Sequence, residues 1–244
     1  MKNTKKILSA ISILAVSFFS ANAQETSIVE SIDEEKESSQ CCSLDVGMDV
    51  VSSYVWRGLK SGTGASIQPY VEYTSYNFTL GAWNNISTGS AEAFEVNLYA
   101  SYAFPFGVTI GATDYFNEGN VFGNNFDDLA ETHAIEPFIQ YDYYNLSFFG
   151  GLMFFRNDHG ENTQDFYGEV SYTFEKFDLA IGAGDGQYVT SPEWGTVGEF
   201  AICNISISKE KNITVTDTFS IPVKGAVTLN PYTERFYAYV GISL

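Results

Sequence analysis

From about residue 43 onward, apolar and polar side chains alternate one for one through most of the chain, the period of a strand with two unlike faces rather than of a helix. One passage occurs twice. Ile67-Gln68-Pro69-Tyr70-Val71-Glu72-Tyr73, continued by Thr74-Ser75-Tyr76-Asn77-Phe78-Thr79-Leu80, returns as Ile135-Glu136-Pro137-Phe138-Ile139-Gln140-Tyr141 and Asp142-Tyr143-Tyr144-Asn145-Leu146-Ser147-Phe148. Downstream, Ser101-Tyr102-Ala103-Phe104 and Gly107 to Asp114 recur as Ser171-Tyr172-Thr173-Phe174 and Asp178 to Asp185. A repeated four-strand meander is the signature of a large antiparallel up-and-down barrel.

The alternation predicts about twelve strands, near 43–57, 65–74, 77–86, 93–103, 107–116, 132–142, 145–156, 164–173, 177–188, 197–208, 212–222 and 234–244. The connections alternate in length. Thr74–Asn77, Phe104–Phe106, Tyr143–Tyr144, Glu175–Lys176 and Lys209–Lys211 read as tight turns; Gly58–Gly64, Ser87–Glu92, Asn117–Glu131, Asn157–Thr163, Tyr188–Thr196 and Lys224–Thr233 read as longer polar loops. Short turns on one rim and long loops on the other are the habit of transmembrane barrels, and a soluble sandwich has no reason to keep to it. The fold class expected is therefore all-β, a transmembrane antiparallel up-and-down β-barrel with an internal four-strand repeat.

Lipid assigns the faces, since a charge on the outer wall costs about 2–4 kcal/mol at mid-bilayer. Leu44, Val46, Met48 and Val50 then face outward, as do Phe236, Ala238, Val240, Ile242 and Leu244. The lumen receives Asp45, Asp49, Arg57, Gln68, Glu72, Trp83, Asn85, Glu95, Asn97, Glu136, Gln140 and Glu169. Tyr54, Trp56, Tyr73, Tyr102, Tyr141 and Tyr172 are expected outside near strand ends, where amphipathic rings settle at an interface. Asp114 and Asp185 fall on the outer face at the rim. Asp217 falls there inside a predicted strand, which calls for a bulge or a different register.

The termini and composition set the compartment. Lys2, Lys5 and Lys6, an apolar run from Ile7 to Phe19 and the small residues Ala21-Asn22-Ala23 read as a cleaved signal peptide over 1–23. Residues 24–42 read as an acidic, Ser-rich, disordered periplasmic lead-in, and 43–244 as the barrel. After the signal no apolar run approaches the ~20 residues of a spanning helix. The net charge is −18, or −21 once the three signal lysines are removed, and no Lys/Arg cluster is present to displace phosphate counterions, so nucleic acid is excluded as a partner. Cys41, Cys42 and Cys203 make no disulfide framework.

Ser53-Tyr54-Val55-Trp56-Arg57-Gly58, then Gln68-Pro69, then Gly81-Ala82-Trp83-Asn84-Asn85 resembles the TorF (Gcw_chp) family of porin-like barrels. Phe94-Glu95-Val96-Asn97-Leu98-Tyr99 resembles the acidic strand that follows there. Asn84 stands where that pattern usually has Ser. The likeness spans roughly residues 44–116 and implies an outer-membrane barrel of a Gram-negative-type envelope, with no established substrate.

Inward carboxylates outnumber inward cations, so an open lumen would draw cations and exclude anions. Arg57 is either a selectivity element or a structural partner for those carboxylates. Tyr70, Trp83, Tyr99, Phe138 and Phe149 could instead fill the bore. The expected function is a narrow passive channel for cations or small polar solutes, without cofactor or metal. The alternative is a closed-lumen structural or partner-binding barrel, contacting lipid and an envelope protein through Asn117–Glu131 or residues 24–40. A third, a lipid-modifying enzyme, would have to recruit His133 or His159, the only histidines, beside a Ser nucleophile. Asp127 and Asp128 lack the spacing of a calcium loop.

Overall fold

A computed structural model describes residues 42–89, 94–117, 133–156, 162–190 and 198–244. The expected signal peptide, the lead-in up to Cys41, nearly all of the 117–131 loop, and His159 lie outside the described residues. Among the described residues fourteen strands follow one another in sequence: β1 (Cys42–Val51), β2 (Tyr54–Trp56), β3 (Leu59–Ser61), β4 (Ser66–Ser75), β5 (Phe78–Ser87), β6 (Phe94–Ala103), β7 (Val108–Asn117), β8 (His133–Tyr143), β9 (Leu146–Arg156), β10 (Asn162–Thr173), β11 (Asp178–Gly184), β12 (Ala201–Thr216), β13 (Phe219–Asn230) and β14 (Arg235–Ser243). Twelve of them close into an antiparallel barrel, each beside its sequence neighbour, with β1 sealed between β4 and β14. The remaining two, β2 and β3, form a hairpin of their own.

The barrel keeps every ladder edge paired along its middle, so no row of backbone donors is left open there. Its outer wall is apolar: Leu80, Leu98, Ile110, Ile139, Ile181 and Val240 are all exposed. Near the short turns the wall turns aromatic, with Tyr73, Phe78, Tyr102, Tyr141, Phe148 and Tyr172 exposed and Phe104, Phe106, Phe174 and Phe177 stacking pairwise beside them. The inner wall is buried and mixes polar and charged side chains with aromatic ones. That is the inverse of a water-soluble barrel.

The repeat survives as geometry. β4–β5 and β8–β9 turn through Tyr76-Asn77 and Tyr144-Asn145, and both tyrosines hold positive φ, 53° and 55°. The interior of the two units differs. Trp83, 2% exposed, fills the first unit and packs on Tyr54 with ring centroids 5.4 Å apart. At the equivalent place the second unit has Gly151, whose absent side chain leaves room for Glu136: a Cβ there would meet the Glu136 carboxylate at 2.5 Å. The first unit thus places an indole where the second makes room for a carboxylate. Truncating Trp83 to Ala should destabilise the barrel by about 3–5 kcal/mol, read as a shift of the urea unfolding midpoint in detergent, whereas Phe106→Ala at the exposed rim should leave it nearly unmoved.

Four expectations need correction. The first strand ends at Val51, not residue 57, because Ser52-Ser53 bend the chain away from the wall. Tyr54 and Trp56 therefore belong to the inner hairpin; Tyr54 is 6% exposed and both pack in the buried aromatic cluster, not on the outside. Lys209–Lys211 is no turn: β12 runs straight through it to Thr216. Lys224–Thr233 is mostly strand, and the chain reverses only after Asn230. Asp217 thus sits in the β12–β13 turn, beside a register shift at Thr214/Thr216, and its lipid-facing position disappears. The charged triplet Lys-Glu-Lys looked like a turn, but alternation carries on across it.

Candidate functional site

The β2–β3 hairpin is the element that the barrel is built around. Trp56 and Leu59 pair across the two-residue turn Arg57-Gly58, whose φ values of 50° and 80° are those of a type I′ turn. Asn-Gly usually occupies such a turn; here an arginine takes the strained first position, which requires the surroundings to hold it. They do. The Asn230 side chain on β13 donates to the Gly58 carbonyl at 3.2 Å, and the Gly58 α-carbon lies so close to the Cys203 carbonyl on β12 that a Cβ would overlap it.

From that tip Arg57 reaches across the bore. Its Nη1 and Nη2 donate to the two carboxylate oxygens of Glu136 on β8 at 2.6 and 2.8 Å, a bidentate pair with both side chains at 0% exposure. Nη1 also donates to the Tyr188 hydroxyl at 2.7 Å, and the Tyr115 hydroxyl on β7 donates to Glu136 at 2.9 Å. The guanidinium carbon lies 4.5 Å from the Trp56 ring centroid, 5.0 Å from Phe149 and 4.4 Å from Tyr167, within the range at which a cation is drawn to a ring face. Tyr188 comes from the 3-10 turn Gly186–Val189 in the β11–β12 connection, pinned from below by Asp165, which accepts from the Gln187 amide at 2.9 Å. Burial pushes the Tyr188 phenol well up from its ordinary value; the nearby Arg57 charge pulls it the other way without prevailing. Tyr188 is therefore a neutral hydrogen-bonding group at any physiological pH.

This layer joins the inner hairpin to β7, β8, β12 and β13. Those strands lie on opposite arcs of the ring. The ion pair is desolvated and enclosed by aromatic rings in the interior of the barrel.

The remaining sequence-selected residues fall at two levels. Asp49, Gln68, Asn85, Glu95 and Asn97 are buried in the same sector of the barrel as Trp83, and Gln140 is buried on β8 nearer the short turns, where it donates to Asp142 at 2.9 Å. They bond among themselves or to the wall: Gln68 to Asn85 at 3.0 Å, Asn97 to Glu95 at 2.7 Å, and Ser243 to Asp49 at 2.6 Å. Glu72 and Glu169 are half-buried, and Asp45 is exposed toward the short-turn rim. Tyr99 donates to Glu72 at 3.0 Å, and Asn204 to Glu169 at 3.0 Å. Below the ion pair the lumen is thus an acidic cup.

Sequence reasoning overlooked Tyr115, Tyr188 and Asn230. Tyr115 obeys the alternation and was there to be found. Tyr188 closes the stretch read as a strand over 177–188, but β11 ends at Gly184 and Tyr188 belongs to a 3-10 turn; Asn230 lies in a stretch read as loop, where alternation is silent about direction. His133 faces outward with Asp114, its Nδ1 within 2.8 Å of that carboxylate, which gives the rim aspartate a partner. Asp185 instead accepts the Phe166 amide at 2.6 Å. Searched against known protein families and curated proteins, the chain matches none.

Proposed function

We propose that the chain is an outer-membrane β-barrel that rests closed, its bore blocked by an inner hairpin, and that it serves as a structural or partner-binding barrel of the envelope rather than as a standing pore. The observation that carries the reading is the Arg57–Glu136 pair, fully desolvated and caged by Trp56, Phe149, Tyr167 and Tyr188 across the bore. A cation path would have to breach it, and removing one member of such a pair costs about 3–5 kcal/mol. The apolar outer wall, the aromatic girdle and the resemblance to porin-like barrels support the location.

A second reading, a narrow cation channel, is favoured by the acidic cup of Asp45, Glu72 and Glu169. If the hairpin withdrew, that cup would select cations. Planar-bilayer recordings separate the two. The intact protein should be silent, and a variant with residues 53–64 replaced by a short Gly/Ser linker should conduct with a cation-selective reversal potential. Steady conductance from the intact protein would overturn the closed-barrel reading and install the channel. Recovery of the protein with inner-membrane or soluble fractions after sucrose-gradient separation would overturn the location.

A further inference from the structure

Glu95 is a buried carboxylate that faces the inner hairpin, and unlike Glu136 it has no guanidinium. Among the described residues no lysine or arginine forms an ion pair with it. The loop stretches 90–93, 118–132, 157–161 and 191–197 contain neither residue type. Neutral groups surround the charge instead. The Asn97 side-chain amide donates to Glu95 Oε1 at 2.7 Å, and the Tyr54 hydroxyl on β2 points at the same carboxylate without completing a hydrogen bond. Aromatic rings wall this spot. Asn97 is flanked across the ladders by Trp83 on β5 and Tyr115 on β7, and Tyr54 packs on Trp83. The amide oxygen of Asn97 has no hydrogen-bond partner, nor has the hydroxyl of Thr113, which stands diagonally across the ladder on β7. Tyr54, Glu95, Asn97 and Thr113 are each 7% exposed or less.

We infer that Glu95, Asn97, Tyr54 and Thr113 bind a small monovalent cation of the sodium type between the inner hairpin and the β6–β7 wall. The donor set suits a hard ion: a carboxylate, an amide carbonyl and two hydroxyls, all of them oxygen. Charge selects the valence, because one carboxylate balances one positive charge, and a buried charge persists when it is paired or holds a metal. Two simpler occupants each leave something unanswered. Water would give the Asn97 oxygen a partner but leave the carboxylate uncompensated. A proton would neutralise Glu95 but leave the Asn97 oxygen bare, since the amide nitrogen is the atom turned toward Glu95. A cation satisfies both. Tyr54 belongs to the hairpin and the other three residues to the wall, so a bound ion would fasten the two together at a point separate from the Arg57–Glu136 pair.

Urea unfolding of the full chain in detergent, in sodium chloride or in choline chloride at equal ionic strength, tests this. The midpoint of the parent should climb with sodium concentration and then level off, while choline, too large for the site, should give no such rise. Glu95→Gln removes the charge and keeps the shape, so its midpoint should be the same in both salts. Tyr54→Phe keeps the charge and removes one oxygen; it should still respond to sodium, with the half-maximal concentration raised about tenfold. A parent midpoint equal in the two salts overturns the proposal and leaves Glu95 to a proton. A sodium response that persists unchanged in Glu95→Gln puts the ion elsewhere, in the acidic cup, and overturns it too. So does a response to calcium without one to sodium, which would contradict the charge count. Should Glu95→Gln fail to fold, Tyr54→Phe decides alone, and an unshifted half-maximal concentration there overturns the assignment.

Discussion

Arg57→Ala is expected to cost the folded barrel about 3–5 kcal/mol, because it leaves the Glu136 carboxylate buried with only the Tyr115 hydroxyl to answer it. The urea midpoint should fall sharply in detergent. The companion variant Arg57→Met/Glu136→Leu should recover most of the loss, since apolar side chains of similar volume can replace a buried pair at little cost. An Arg57→Ala midpoint equal to that of the parent would mean that the pair is wet, and the plug would lose its physical basis. If the double variant is as unstable as the single, the cage of rings rather than the charge pair holds the hairpin.

The second large effect concerns Gly58. Its φ of 80° suits no β-branched side chain, and a Cβ would collide with the Cys203 backbone, which belongs to the wall and cannot yield. Gly58→Val should therefore expel the hairpin from the bore while leaving the twelve-strand ring intact. Trypsin gives a clean readout. The Arg57–Gly58 bond should resist cleavage in the parent, because Arg57 is fully buried, and should be cut in Gly58→Val within minutes under conditions that leave the parent whole. Resistance in both would show that the tip has another way to fit.

Alternation made the barrel legible. Ile67 to Leu80 and Ile135 to Phe148 could be placed on two faces without any coordinates, because lipid and packed polar interior demand opposite chemistry from neighbouring residues. Elements that leave the wall were not legible on that basis. Ser53 to Arg57 alternates as well as any strand, and a period of two cannot distinguish a strand in the ring from a short one folded inside it. The signals were local and chemical: Ser52-Ser53 as a bend, Arg57-Gly58 as a reversal, and Gly151 where the first repeat has Trp83. In the opposite direction, Lys209-Glu210-Lys211 offered turn-like composition while β12 kept its period. Composition misled there because the strand rises out of the girdle, where charge no longer carries a penalty.

The seam of the ring has a consequence for how the molecule forms. β1 is laced to β4 over ten residue pairs but to β14 over only three, Asp49–Ser243 to Val51–Gly241, helped by the bonds between Met48 and Leu244 and between Ser52 and Val240. Those partners are separated by nearly the whole chain, so their meeting is entropically the most expensive contact and should come last. Until it does, a half-open curl with two raw borders must persist. The tip of β2–β3, clipped to Asn230 two strands past the join, would then act as the latch that stops the curl from springing apart again.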